Sequence, residues 1–225
     1  MMLRGRARLP LLAEIAGPAE GTRSWSLRRD DFVALGGALA QLAEHRVAAL
    51  AGEGDEPAVA AIALASAAAA AGRRTILVEC DLAQPRLAQH LGLAAGPGLH
   101  EYLRWEAEPP DVLQPVMLAG PAAGGLAEPL VCVCAGRPAS DAETLLGLQS
   151  FSHMAAKLRS AYELVLLLAP PVLGEPGACL AVAAQADVTV AGLPAEAASG
   201  RGGRGVRSAI RRLPAPALGA VAVSA

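Results

Sequence analysis

The sequence predicts an α/β domain in which a three-layer, mainly parallel sheet carries helices on both faces. Short runs that are apolar along their whole length alternate with helix-like segments. Strands of this kind are buried on both faces, and helical connections between them produce parallel pairing. The expected strands are 47–51, 75–79, 131–135, 164–169, 188–192 and 218–223. The expected helices are 32–44, 57–71, 142–161, 176–185 and 205–213.

Length and composition indicate one core and argue against several classes of partner. The chain has 225 residues, of which 53% are hydrophobic, which is enough for one sizeable core. We therefore expect one domain over residues 25–225, preceded by a loosely attached arm over residues 1–24. The net charge of -2 gives no whole-chain attraction to nucleic acid, and only residues 201–212 are locally basic.

No segment predicts secretion or a membrane span, so we expect a cytoplasmic protein. The most apolar helical stretch, residues 58–71, is shorter than the ~20 residues that a span needs. The N-terminal apolar stretch is brief and is interrupted by Pro10. The four cysteines lack the spacing of a metal site and predict buried, reduced thiols; they are Cys80, Cys132, Cys134 and Cys179.

The loop after the first core strand has the position of a phosphate-binding loop but lacks its chemistry. Such a loop needs glycines that open the backbone N–H groups, a lysine for the phosphates and a hydroxyl for Mg²⁺. The chain's single lysine, Lys157, lies far away, and the lysine and hydroxyl positions hold Pro57 and Ala58. The whole candidate loop is Gly52, Glu53, Gly54, Asp55, Glu56, Pro57 and Ala58. Its three carboxylates would repel a triphosphate.

Four further segments carry a resemblance to a known family. They read GRRTILVECDLAQPRL at residues 72–87, GLHEYL at 98–103, AGRP at 135–138 and YELVLLLAPPVL at 162–173. In this order they resemble the cytoplasmic domain of bacterial polysaccharide-biosynthesis tyrosine autokinases, the CpsD/CapB group in the MinD/ParA branch of P-loop ATPases. The resemblance covers roughly residues 8–225 and implies a P-loop NTPase-like fold.

The resemblance also shows which catalytic parts are changed. It implies ATP and Mg²⁺ as the family's ligands, with Asp81 matching one family carboxylate and Glu79 replacing the other. The family's later aspartate and threonine are Leu168 and Ala169 here, and no tyrosine cluster follows residue 162. Phosphoryl transfer depends on positioned charge, so these losses predict a non-catalytic member with only vestigial site residues. Beyond the ATP and Mg²⁺ that the resemblance implies, we assign no cofactor and no metal.

The function implied is a pseudokinase or pseudo-ATPase that scaffolds or regulates exopolysaccharide or capsule biosynthesis and export. The resemblance implies a membrane co-polymerase of the chain-length-determinant type as partner, and allows a homo-oligomer. We expect residues 8–15, within the arm, to dock on such a partner and hold the protein peripherally at the inner face of the plasma membrane.

Two alternatives remain open from the sequence. One is an active tyrosine autokinase or MinD/ParA-like ATPase that uses atypical residues. The other is a Rossmann-like dinucleotide-binding protein, because Gly52-x-Gly54 and an acidic residue at Glu79 satisfy part of that fingerprint.

Overall fold

The computed structural model describes residues 9–17, 28–116, 129–199 and 202–224. The strands in this part of the chain are β1 Leu11–Ala16, β2 Val47–Gly52, β3 Thr75–Glu79, β4 Gln114–Val116, β5 Leu130–Val133, β6 Leu164–Leu168, β7 Val188–Pro194 and β8 Ala217–Ser224. The helices are α1 Arg29–Gln41, α2 Glu56–Ala70, α3 Leu87–Leu91, α4 Leu99–Leu103, α5 Pro109–Val112, α6 Ala142–Leu146, α7 Gln149–Ala161, α8 Pro176–Ala183, α9 Ala195–Ser199 and α10 Arg204–Ile210.

These strands form one sheet in the order β1-β8-β7-β2-β6-β3-β5-β4. All neighbours run parallel except β4, which pairs antiparallel with β5. Core side chains fill both faces of the sheet, as expected for strands that are apolar throughout. The predicted fold class is therefore confirmed, and parallel order brings the ends of β2, β6 and β3 together at one edge.

The Ala-rich helix α2 lies directly behind the candidate loop and is almost wholly buried. Side chains from Pro57 to Ala69 are buried because α2 packs between the sheet and α1. Small side chains permit this close approach on several sides of the helix. Ser66, the one polar residue in this stretch, donates from its hydroxyl to the carbonyl oxygen of Ile62 at 2.6 Å. The helix therefore holds the loop rigidly against the sheet.

The expectation of a loosely attached arm is wrong for its described part, residues 9–17. Here β1 forms the edge of the sheet and pairs with β8. Leu9, Leu12 and Ile15 are buried in the core, whereas Leu11 is 57% exposed. The buried side chains of this segment, which we expected to contact a partner, therefore pack against the core of the domain instead. The expected boundary at residue 24 and the basic residues up to Arg8 lie outside the described ranges.

Three smaller differences from the sequence expectations have local causes. The expected helix 142–161 is divided into α6 and α7, which are separated by Gly147 and Leu148. Helix α9, which begins directly after β7, was not among the expected helices. The short strand β4 was not among the expected strands; it contains Pro115, which its antiparallel edge position tolerates.

The cysteines are all free and buried, as the sequence predicted. Burial raises the pKa of the Cys134 thiol and the Cys179 thiol to about 12, so neither thiol is reactive at neutral pH. Within the described residues no cluster of His, Cys, Asp and Glu could hold a metal ion. No helix in that part of the chain is both long and apolar enough to cross a membrane.

Candidate functional site

A cleft opens at the carboxyl ends of β2, β3 and β6, where parallel α/β sheets bind their ligands. It combines the candidate loop, the loop after β3 and the end of β6. The described residues that line it are Gly52, Gly54, Pro57, Ala58, Glu79, Asp81, Gln84, Arg86, Leu168, Ala169 and Pro171. The structure thus brings together most of the site residues that the sequence singled out.

Tight packing of two glycines against a proline fixes the start of the loop. A Cβ added to Gly52 would lie 2.4 Å from the carbonyl oxygen of Gly192 and 2.7 Å from Cγ of Pro57. A Cβ added to Gly192 would lie 2.5 Å from Cα of Pro57. Glycine is therefore required at both positions. Pro57 occupies the space beside β2 and contributes no backbone N–H to the helix N-terminus.

Two of the three acidic side chains of the loop, those of Glu53 and Asp55, are held by neighbouring parts of the protein. Glu53 accepts a hydrogen bond from the backbone N–H of Leu173 at 2.6 Å. Asp55 Oδ1 lies 3.0 Å from Nε2 of His90 and 3.4 Å from Nη1 of Arg86. The hydrogen bond with His90 lowers the pKa of Asp55 most strongly, and burial opposes this effect. Asp55 is therefore a carboxylate paired within the protein.

Arg86 crosses the mouth of the loop and is the one basic residue among the described residues that line the cleft. Its Nη1 donates to the carbonyl oxygen of Gly54 at 2.5 Å, and its Nη2 donates to Oε1 of Gln84 at 3.2 Å. A phosphate-binding loop presents N–H groups to an anion, whereas here a loop carbonyl faces a cation. The guanidinium thus neutralises the acidic loop itself.

Glu79 has a structural position at the end of β3. Its side chain is fully buried, and its oxygens accept hydrogen bonds from the backbone N–H groups of Arg86, Leu87 and Ala135, the last two at 2.7 and 3.1 Å. Burial raises the pKa of Glu79, and these three donors oppose the rise. The carboxylate therefore joins β3 to the start of α3 and to the end of β5.

Asp81 follows β3 and faces the cleft. Its Oδ1 accepts a hydrogen bond from the backbone N–H of Gln84 at 3.0 Å. Burial raises the pKa of Asp81, while the hydrogen bond from Gln84 and the charge of Arg86 lower it. On the facing strand, Leu168 presents an apolar side chain where the resembled family has an aspartate. Burial and, to a lesser degree, the charge of Asp81 raise the pKa of Glu175 in the segment after β6, but Glu175 is not among the described residues that line the cleft.

The structure also identifies residues that the sequence analysis missed. Arg86 bonds the carbonyl oxygen of Gly54, His90 bonds Asp55, and Gly192 packs against the first turn of the loop. The sequence offered one signal for Arg86, since it directly follows the Pro85 of the resembled motif. No local pattern marks Gly192, because its partner Pro57 is distant in the sequence.

The residues of the cleft do not fit a triphosphate with Mg²⁺. The candidate loop contains neither an amine nor a hydroxyl side chain, and Leu168 cannot hold water on a metal. A dinucleotide fits no better, because Glu79 is fully buried and its oxygens are bonded to backbone N–H groups. Such an acidic residue must instead reach the ribose hydroxyls.

Comparison with solved structures confirms the fold that the sequence resemblance implied. The kinase domain of the Escherichia coli tyrosine kinase ETK has a TM-score of 0.76 at 16% identity, over 96% of this chain and 91% of that one. The VpsO kinase domain has a TM-score of 0.70 at 22% identity, over 87% of this chain and 94% of that one. The fold is that of bacterial tyrosine kinase domains.

The likeness extends to other P-loop ATPases. The septum site-determining protein MinD from Pyrococcus horikoshii OT3, complexed with Mg-ADP, has a TM-score of 0.57 at 16% identity. That alignment covers 78% of this chain and 68% of the MinD chain. No protein-family model matches the sequence, and no curated protein matches it. At these identities the comparisons establish the fold alone. What the site can do chemically must be argued from the residues that line the cleft.

Proposed function

We propose that this protein is a non-catalytic relative of the bacterial tyrosine kinases that scaffolds or regulates exopolysaccharide or capsule biosynthesis and export. One observation carries the proposal. The guanidinium of Arg86 bonds the carbonyl oxygen of Gly54, in a loop that has Pro57 and Ala58 at its lysine and hydroxyl positions. The fold is that of the kinase domains, but the loop carries acidic side chains where a phosphate-binding loop carries a lysine.

The magnitude of the losses supports this proposal. Removing one group that stabilises transition-state charge commonly costs ~10²-fold or more in rate, although such effects are not additive within one site. Here the lysine, the Mg²⁺-binding hydroxyl and the carboxylate at Leu168 are all replaced. Glu79 and Asp81 are the acidic residues that line the cleft among the described residues, and a carboxylate cannot supply the missing cation.

The direct test is a nucleotide-binding and turnover measurement on the purified protein. We expect no saturable binding of ATP-Mg²⁺, ADP or NADH by calorimetry, no ATP hydrolysis above a buffer control and no self-labelling with phosphate. The ETK kinase domain, measured in parallel, is the positive control. Turnover above ~0.01 per second that disappears in Asp81→Ala would overturn the proposal, since a median enzyme turns over at ~10 per second.

The partner follows from the same proposal. A relative without chemistry acts through its surfaces, and we propose a membrane co-polymerase of the chain-length-determinant type as the binding partner at the inner face of the membrane. Because Leu9, Leu12 and Ile15 are buried in the domain, these three side chains are not available to the co-polymerase. Fractionation of cells with and without the co-polymerase tests this: the protein should enter the membrane fraction only when the co-polymerase is present.

A further inference from the structure

The turn after α4 holds a tryptophan in a conformation that favours glycine. Trp105 has a φ of 62°, and it is the one non-glycine residue with positive φ among the described residues. Two hydrogen bonds close the helix end around it: Trp105 N–H donates to the carbonyl oxygen of Tyr102 at 3.1 Å, and Glu106 N–H to that of Glu101 at 2.8 Å. This is a Schellman motif, and glycine is the usual residue at the position of Trp105.

The side chain of Trp105 lies mostly in solvent and contributes little to the core. Trp105 is 84% exposed, the largest exposed fraction among the exposed large hydrophobic side chains of the described residues. Neither backbone conformation nor core packing therefore explains why an indole stands here. An exposed tryptophan is characteristic of a binding hot spot, where it supplies a large, rigid contact surface.

Apolar and acidic residues follow Trp105 on the same short segment. Pro109, Pro110 and Leu113 are exposed, and this segment leads into the edge strand β4. The acidic side chains of Glu106, Glu108 and Asp111 are exposed as well. We call the surface formed by residues 105–113 the Trp105 patch.

The charge balance around the patch is negative. Residues 101–113 contain four carboxylates and one arginine. The nearby Arg137 pairs with Glu101 and Glu106, and Arg104 pairs with Asp141 at 2.6 Å. Glu108 and Asp111 make no ion pair among the described residues. The carboxylate of Asp111 also accepts a hydrogen bond from the backbone N–H of Glu108 at 2.9 Å, but no cation among the described residues pairs with either carboxylate, so both can attract a cation from outside.

We propose that the Trp105 patch binds a basic peptide segment of a partner protein, with an arginine or lysine stacked on the indole of Trp105. Tryptophan is the strongest aromatic partner for a cation, and carboxylates beside the ring add charge complementarity. The same carboxylates repel an anionic lipid surface, which argues against insertion of the indole into a membrane. The proposal does not rest on the proposed function, because the patch makes no use of the nucleotide loop.

The test uses a labelled 12-residue peptide in which arginine alternates with glycine and serine, with binding followed by fluorescence anisotropy. We expect saturable binding to the full chain that weakens as salt rises, and no binding of the matched glutamate peptide. Trp105→Gly should weaken binding by at least about tenfold. Glu108→Gln and Asp111→Asn should each weaken it by about two- to fivefold, since single rim charges contribute modestly.

The Trp105→Gly variant separates binding from folding. Glycine fits the turn better than tryptophan, so we expect Tm to rise by about 2–4 °C while binding is lost. Val33→Ala on α1, where Val33 is 77% exposed near the opposite edge of the sheet, is the matched control: it should leave peptide binding unchanged, while its better helix propensity raises stability by no more than about 0.7 kcal/mol. Trp105→Phe should bind with intermediate affinity.

Four results would overturn the proposal. They are equal binding of arginine and glutamate peptides, unchanged affinity in Trp105→Gly, stronger binding to anionic phosphatidylserine vesicles than to the peptide, and absence of binding at millimolar peptide. Self-association that depends on Trp105 and is unaffected by excess peptide would assign the patch to a second copy of the chain instead.

Discussion

The hydrogen bond from Nη1 of Arg86 to the carbonyl oxygen of Gly54, at 2.5 Å, defines the state of the candidate loop. In a phosphate-binding loop a cation neutralises the ligand, and the loop contributes N–H groups. Here the cation is supplied from the segment after β3 and neutralises the loop. The positive charge of Arg86 thus offsets the acidic side chains of the loop without a bound ligand.

Restoring the loop chemistry tests this interpretation directly. We expect the triple variant Glu56→Gly, Pro57→Lys, Ala58→Ser to regain ADP binding more strongly when Arg86→Ala is added, because the guanidinium then no longer bonds the loop. Hydrolysis should stay absent, since Leu168 still replaces the carboxylate of the metal shell. Calorimetry measures the binding. A folded quadruple variant that binds no nucleotide would show that the proposed position of this loop is wrong.

Glu79 and Asp81 should differ in their contributions to stability. Glu79→Ala leaves three backbone N–H groups near the end of β3 without their acceptor, and each such group costs about 1–3 kcal/mol when buried. We expect a loss of at least about 3 kcal/mol in the free energy of unfolding. Asp81→Ala removes the acceptor of Gln84 N–H and should cost about 1 kcal/mol. Urea unfolding measures both, and equal losses would contradict the assigned roles.

The close packing around Pro57 predicts opposite effects for two glycine substitutions. Gly192→Ala places a Cβ within 2.5 Å of the Pro57 backbone and should lower stability by about 1–3 kcal/mol or more. Gly36→Ala lies in α1 with nothing within 4 Å of the new Cβ. It should raise stability by about 0.5–1 kcal/mol, because alanine favours a helix interior. Thermal unfolding of both variants measures the difference in sign.

Substitutions on the buried side of the edge strand β1 should lower the free energy of unfolding, whereas substitutions on its exposed side should not. Ile15 is 1% exposed, and Ile15→Ala should lower stability by about 2–5 kcal/mol. Leu11→Ala, on the same strand but 57% exposed, should change it by less than about 0.5 kcal/mol. Chemical denaturation measures both variants. A small effect at both positions would restore the expectation of a loosely attached arm.

Asp187 predicts a loss of stability in acid. Burial raises the pKa of Asp187, but hydrogen bonds from Arg159, Val47 and Arg46 outweigh this effect, and the net pKa lies below its ordinary value. The stabilisation is therefore complete above the unfolded-state pKa of about 4 and is lost as pH falls through the lower folded-state pKa. Asp187→Asn should lower stability at pH 7 by about 1–2 kcal/mol.

The same variant should show a shallower loss of stability below pH 4 than the unmodified protein. Urea midpoints at pH 7, 4 and 3 measure this difference. Glu44→Gln, an exposed substitution in the turn between α1 and β2, serves as the control and should change stability at pH 7 by less than about 0.5 kcal/mol. Parallel profiles for Asp187→Asn and the unmodified protein would contradict the assignment.

The sequence predicted the central strands well because each carries its own signal, a run of apolar residues bounded by turns. It failed for β1, whose burial depends on β8 far along the chain, and whose exposed Leu11 and Glu14 break the apolar pattern. It identified the altered loop from the missing lysine and hydroxyl. The partners of Glu79 could not be predicted, because one of them, Ala135, lies 56 residues away and is brought close only by the pairing of β3 and β5.

The parallel pairing of β1 with β8 has a consequence for biosynthesis. Ser224 donates from its hydroxyl to the carbonyl oxygen of Ile15 across a separation of 209 residues. A nascent chain therefore carries β1 without its partner until β8 has left the ribosome, and Leu12 and Ile15 remain exposed meanwhile. Long-range pairing of this kind is slow to form and leaves strand edges open to aggregation. Production of this domain should consequently be sensitive to truncation at its last strand and to the supply of chaperones.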